Sequence, residues 1–281
     1  LAPAGAITRT APAPSELRDA RVGGVLDGDA IQLRNGVFEG APFLPGGASR
    51  PRLEVLIRLT AGGEVEGRRE PVRLAFLVAS AGGSGVDIHL AAFARSGDRV
   101  VSAATILIGD RVQLRGLSVA DGRIHVDVVE AGPNDAMCCG TQLARKTYRL
   151  NQSGLAMVSS EVTGRLSLHT LEGANWTLEE LDDTPLAPGH AAPTLRIADG
   201  TVSGFGGCNR YRGGIRETSP GSVALAPVVS TRMACDGPRT NVEDSFLRRL
   251  QKVTSYRFVE GRLALYHDDE NGRPGRLLFH P

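Results

Sequence analysis

Apolar residues recur along this chain in short runs with the two-residue period of a strand. Over 52–60, Leu53, Val55 and Ile57 alternate with Arg52, Glu54 and Arg58, the pattern of a half-buried strand. Further strands are predicted at 30–38, 72–80, 86–94, 100–108, 111–119, 123–129, 146–150 and 155–159. Turn signals separate them: Asn35-Gly36, Gly62-Gly63, Gly82-Gly83-Ser84-Gly85, Ser96-Gly97-Asp98, Gly109-Asp110 and Asp121-Gly122. Through 72–129 the strand starts lie roughly 8–14 residues apart, which leaves no room for parallel crossovers, so antiparallel meanders are expected. Asp121-Gly122 has the composition of a two-residue hairpin turn. The cluster Gly132-Pro133-Asn134-Asp135 leads into Met137-Cys138-Cys139.

The pattern breaks over 160–173, a polar stretch read as a linker between an N-terminal β-rich domain (21–159) and a second one (174–281). The second half opens on Trp176 and continues with strands at 194–197, 201–204, 211–215, 262–266 and 276–279, the last two around Asn271-Gly272. One helix is predicted. Thr240 and Glu243 have the spacing of a capping box, and Val242, Phe246, Leu250 and Val253 follow as one apolar stripe. The fold class is therefore mainly β: two antiparallel β-rich domains, the C-terminal one a sheet packed on a single helix. No repeat of solenoid or propeller period is present.

The composition agrees with folded domains. Hydrophobic residues make up 41% and charged residues 22% of the 281, and that length suits two domains. The formal net charge of +1 argues against a nucleic-acid surface or a polybasic membrane patch. No apolar run approaches the ~20 residues of a membrane-spanning helix; the longest, 72–81, is interrupted by Arg73. Residues 1–20 are rich in alanine and proline and read as a flexible tether. The four cysteines include no C-x-x-C pair, and no histidines sit at zinc-site spacing. An even cysteine count in a β-rich chain points to an oxidising compartment. The expected location is therefore periplasmic or otherwise extracytoplasmic, with a lipid anchor upstream as one mode of attachment.

Five features stand out in the C-terminal half: Asn175-Trp176-Thr177-Leu178; the run 200–214, which contains Gly206-Gly207-Cys208-Asn209-Arg210; Thr231-Arg232-Met233-Ala234-Cys235; Glu243 with Phe246; and Leu263-Ala264-Leu265. In these features the half resembles the META domain family, also called HslJ-like heat-shock proteins. The motif residues carried over are Trp176, Gly207, Asn209, Arg210, Thr231, Met233 and Glu243. The resemblance implies a small extracytoplasmic β-rich fold around a helix, associated with envelope stress and without established catalytic residues. Residues 30–150 resemble a bacterial envelope domain sometimes joined to META, through Gly40-Ala41-Pro42-Phe43, 45–50, 82–85, 107–111 and 132–139. Relatives of that domain carry an acidic, glycine-rich stretch that could hold a cation. Here the stretch is 63–70, and Arg68 and Arg69 place positive charge where oxygen ligands would converge.

Among chemical candidates, Cys208 in its glycine-rich turn has three readings: a disulfide to Cys235 closing 27 residues, a buried thiol pair, or a nucleophile. No histidine lies nearby in sequence to activate a thiolate, so the disulfide leads. Adjacent Cys138 and Cys139 either bond to each other or stay free. The six histidines, His89, His125, His169, His190, His267 and His280, show no metal or base spacing. Asp182-Asp183, Glu179-Glu180 and 268–270 read as edge and loop charges. No hydrolase, zincin, phosphate-loop or dinucleotide motif occurs. The expectation is a non-catalytic exported envelope protein binding an envelope protein or component, with no enzyme activity, metal or cofactor. A hydrolase inhibitor and a thiol-redox protein using Cys138/Cys139 or Cys208/Cys235 are the alternatives.

Overall fold

The computed structural model describes residues 10–26, 30–63, 65, 71–136, 138–187 and 191–281. The chain is mainly β, with one α-helix among the described residues, and divides into two compact units, Leu1–Thr163 and Gly164–Pro281. No described helix is long and apolar enough to cross a membrane.

The N-terminal unit contains a seven-stranded and a four-stranded sheet. The larger runs in the order Ile31–Gln32, Arg21–Val22, Arg99–Asp110, Asp87–Ser96, Val72–Ser80, Arg52–Gly63, Val37–Glu39. Its pairings are antiparallel except where Arg21 meets Val101. The smaller runs Gly154–Arg165, Gln142–Asn151, Arg123–Glu130, Gln113–Ala120. Asp121-Gly122 forms the expected two-residue hairpin: Ala120 pairs with Arg123, and both turn residues have positive φ. The Val72–Ser80 strand is an almost unbroken apolar run because both of its faces are covered. Leu74 and Phe76 share a core with Ile124, Val126, Val128 and Tyr148 of the smaller sheet. Ala75 and Leu77 face a second core completed by Leu17, Ala20, Val22 and Leu33.

That second core corrects the reading of 1–20 as a tether. Pro14–Asp19 is a 3-10 helix with Pro14 in its first turn and Leu17 fully buried. The Pro12 carbonyl accepts from Arg73 Nε at 2.9 Å, and Glu16 pairs with Arg95 at 2.7 Å. The prolines pre-set the backbone for this turn. Residues 1–9 lie outside the described residues. The strand predicted at 30–38 is also divided, because Asn35 and Gly36 (φ +53° and +89°) turn the chain between Ile31–Gln32 and Val37–Glu39. The segment 160–173 is no irregular linker. The Gly154–Arg165 strand runs through its first part, followed by the 3-10 turn Leu168–Leu171, with Leu166 and Leu171 buried.

The C-terminal unit is one ten-stranded sheet. Trp176–Leu181 pairs with Thr194–Ala198 and also with the last strand, Pro274–His280, so the sheet closes on itself. Between them the order is Thr201–Phe205, Arg210–Ser219, Ser222–Leu225, Val253–Val259 and Arg262–Asp268. The helix spans Gly237–Leu250, starting four residues earlier than the Thr240 box implies. Asp236 is its N-cap, accepting the Arg239 amide at 3.1 Å, and Pro238 suits the first turn. The predicted stripe is right for Phe246 and Leu250. Val253 instead opens the next strand, paired with His267. Phe246 packs against the rings of Tyr211 and Phe279, at 5.5 and 6.3 Å between centroids.

Candidate functional site

The motif residues of the C-terminal unit converge on one buried node. The chain leaves the Thr201–Phe205 strand through Gly206 and Gly207, the latter at φ +118°, a conformation that favours glycine. This turn aims the amides of Cys208 and Asn209 away from any strand partner, and buried amides require an acceptor. Glu243, on the buried face of the helix, supplies it. Its Oε2 accepts from the Cys208 amide at 3.1 Å and from the Asn209 amide, and its Oε1 accepts from Asn209 Nδ2 at 3.0 Å. A Cβ on Gly206 would lie 2.9 Å from Oε2, so glycine there keeps room for the carboxylate.

Asn209 passes the connection on. Its Oδ1 accepts from the Thr231 hydroxyl at 2.9 Å and the Met233 amide at 2.7 Å. The Thr231 amide donates to the Arg210 carbonyl, while the Arg210 side chain is exposed. The Cys208 and Cys235 sulfurs are at disulfide distance, with Cα atoms 6.1 Å apart. Gly207, Asn209, Arg210, Thr231, Met233, Glu243 and both cysteines therefore form one cluster. Trp176 stands apart, buried against Phe258, its indole N–H donating to the Leu171 carbonyl at 3.3 Å. The capping-box role of Glu243 is corrected: its carboxylate is spent on a turn 35 residues away. Both Glu243 oxygens thus accept hydrogen bonds, and the Cys208 sulfur is paired with that of Cys235.

A second cluster brings together residues far apart in the sequence. Asp182 and Asp183, both at positive φ, form the two-residue turn between Leu181 and Thr184. Asp182 accepts from Arg249 Nε at 2.6 Å, from His267 Nε2 at 3.0 Å and from the Arg276 amide at 3.1 Å. The donor assignment at His267 follows because a carboxylate can only accept. A Cβ on Gly275 would come within 2.7 Å of the His267 ring, so glycine there admits the Asp–His contact. Arg248, Lys252, Asp269, Glu270 and Asn271 complete a cleft of about 210 Å³ beside it. In this cleft Nε2 of His267 is held by Asp182, and Nδ1 is buried without a hydrogen-bond partner among the described residues. The two-residue hairpin composition of Asp182-Asp183 was a signal available in the sequence, but nothing local points to His267.

Burial raises the Asp182 carboxyl, yet the hydrogen bond and charge of Arg249, joined by His267, outweigh it and leave the carboxyl below the ordinary aspartate value. Stability from this cluster is thus complete at neutral pH and is lost as the pH falls through the depressed folded value. Asp182→Asn is expected to flatten the stability–pH curve below about pH 4, read as a smaller acid-side loss in urea midpoint than in the wild type.

The remaining candidates are scattered. His89 is buried, and desolvation lowers its pKa, partly offset by Asp87. His125 meets Thr147 and His169 meets Glu172. His280 is exposed, and His190 lies outside the described residues. The 63–70 stretch is likewise mostly outside them. Cys138 and Cys139 sit together in an exposed loop, their sulfurs at disulfide distance. Among the described residues no group of three or more His, Cys, Asp or Glu is placed to hold a metal ion.

Residues 169–276 match the model of the META domain family, a match that lies within the C-terminal unit. A solved structure titled "NMR structure of the protein" is 20% identical to the chain, covering 41% of it and 94% of its own length, with a TM-score of 0.34. No curated protein matches the chain.

Proposed function

We propose that this protein is a non-catalytic, exported cell-envelope module that binds an extended segment of another envelope protein by β-strand addition. The META match and the two cysteine pairs support the envelope setting, since disulfides persist in oxidising compartments. The observation that carries the binding mode is the Gly154–Arg165 strand. Among the described residues it forms an edge of its four-stranded sheet, and every residue from Met157 to Arg165 is exposed. Such an edge presents unpaired backbone donors and acceptors, which proteins ordinarily blunt with proline, bulges or charge. Here Met157, Val158 and Val162 are 55, 53 and 61% exposed, and Glu161 is the one charge between residues 154 and 164. Backbone pairing with side-chain contacts on alternate residues is the recognition this surface supports.

The test uses the full chain as bait in envelope extract, with chemical crosslinking and mass mapping of the joined peptides. Wild type is expected to crosslink a defined partner through residues 154–165. Val158→Glu with Val162→Glu should lose that partner while keeping the wild-type melting temperature, because neither side chain is buried. Equal capture by the variant, or crosslinks confined to other surfaces, would refute the edge as the binding surface.

A further inference from the structure

The two cysteine pairs differ in both exposure and structural task. Cys208 is buried, and its bond to Cys235 closes 27 residues. Cys138 and Cys139 are both exposed, in the connection between Arg123–Glu130 and Gln142–Asn151. That connection holds its shape through hydrogen bonds that do not involve sulfur. The Asp135 carboxylate accepts from the Gly132 amide at 2.9 Å, the Thr141 amide at 2.7 Å and the Thr141 hydroxyl at 2.8 Å. The Cys139 amide donates to the Ala136 carbonyl at 2.9 Å. Gly140 lies so close to the Glu130 carbonyl that a Cβ would overlap it, and the strands pair from Gln142 and Glu130 onward.

A disulfide stabilises a fold chiefly by shortening the loops open to the unfolded chain. A bond between sequence neighbours closes almost no loop, so the Cys138–Cys139 bond has no such role, and the surrounding hydrogen bonds leave the loop closed without it. We propose that Cys138–Cys139 is a reversible two-electron thiol–disulfide site whose reaction partner is a dithiol. A thiolate of the dithiol attacks one of the two sulfurs. The vicinal S–S bond breaks as a mixed disulfide forms, and the released cysteine takes up a proton. The second thiol of the dithiol then attacks the mixed disulfide and frees the other cysteine, which is protonated in turn. The dithiol leaves as a disulfide, oxidised by two electrons, and the protein gains two electrons and two protons.

The experiment incubates the full chain in graded mixtures of reduced and oxidised dithiothreitol, quenches with acid, alkylates and maps the peptides. Cys138 and Cys139 are expected to take label at a reduced-to-oxidised ratio at least about tenfold lower than Cys208 and Cys235. The Trp176 fluorescence melt should be unchanged at that point, and the label should vanish after reoxidation. Cys138→Ser with Cys139→Ser should melt at the wild-type temperature, both by circular dichroism and by fluorescence. Opening of both pairs together, label on Cys138 or Cys139 in fully oxidised protein, or a lowered melt of the double serine variant would each overturn the assignment.

Discussion

Replacing Glu243 by alanine is expected to destabilise the C-terminal unit by about 3–5 kcal/mol, the range for removing one partner from a buried charged hydrogen-bond set. The loss comes from the amides of Cys208 and Asn209 and from the Asn209 side chain, which keep their buried positions and lose their acceptor. For a unit of this size the melting temperature should fall on the order of 10–20 °C. The single tryptophan lies in this unit, buried beside Phe258, so its fluorescence reports the transition without interference from the other half. Thr240→Ala separates this role from helix capping. If Glu243 and Thr240 formed a capping box, the two substitutions would cost similar amounts. With Asp236 as the cap, Thr240→Ala should stay within about 0.5 kcal/mol of wild type. A Glu243→Ala melt near wild type would show that the node does not hold the helix to the sheet.

Removing the Cys208–Cys235 crosslink by a double alanine substitution is expected to cost roughly 3 kcal/mol, from the chain entropy of a 27-residue loop. Dithiothreitol at strongly reducing ratios should bring the wild type to the same melting temperature as the variant, and should leave the variant itself unmoved. The crosslink and Glu243 both restrain the turn at Cys208. Combining the two substitutions should therefore destabilise by less than the sum of the separate effects. Full additivity would mean that the turn is held independently by each.

Local pattern made most strands legible and left their closure hidden. The run predicted at 72–80 coincides with the strand found there, because continuous apolar sequence and flanking Pro71 and Ala81-Gly82 mark it. Closure of the C-terminal sheet depends on Trp176–Leu181 meeting Pro274–His280, a pairing that no local period encodes. The misread residues share one cause: a distant partner outcompeted the local one. Glu243 could reach back within its own helix, yet the amides at 208 and 209 take it. Val253 extends an apolar stripe at helical spacing, yet its burial is satisfied in a strand beside His267. The Ala/Pro-rich start looks too polar and broken to pack, but one well-placed Leu17 covers the face of a sheet formed much later in the chain. Asp182 was legible as a loop charge and illegible as the partner of Arg249 and His267. Of the candidate site, residue identities came from the resemblance to META; the carboxylate that joins them was read as part of a helix capping box.

The pairing of Thr177 with His280 also governs when this unit can fold. Its sheet cannot close until the last strand exists, so contacts about 100 residues apart along the chain must form before the earlier strands lose their open edges, a high-contact-order topology that folds slowly. During synthesis the unit would therefore remain an open sheet until residues 274–280 have emerged to pair with the Trp176–Leu181 strand. The same adjacency makes the chain's order dispensable: a short peptide joining Pro281 to Asn175 would span neighbouring strands. A permuted chain opened at the Asp269–Arg273 turn would retain every strand pairing while moving the slow closure to a different pair of edges.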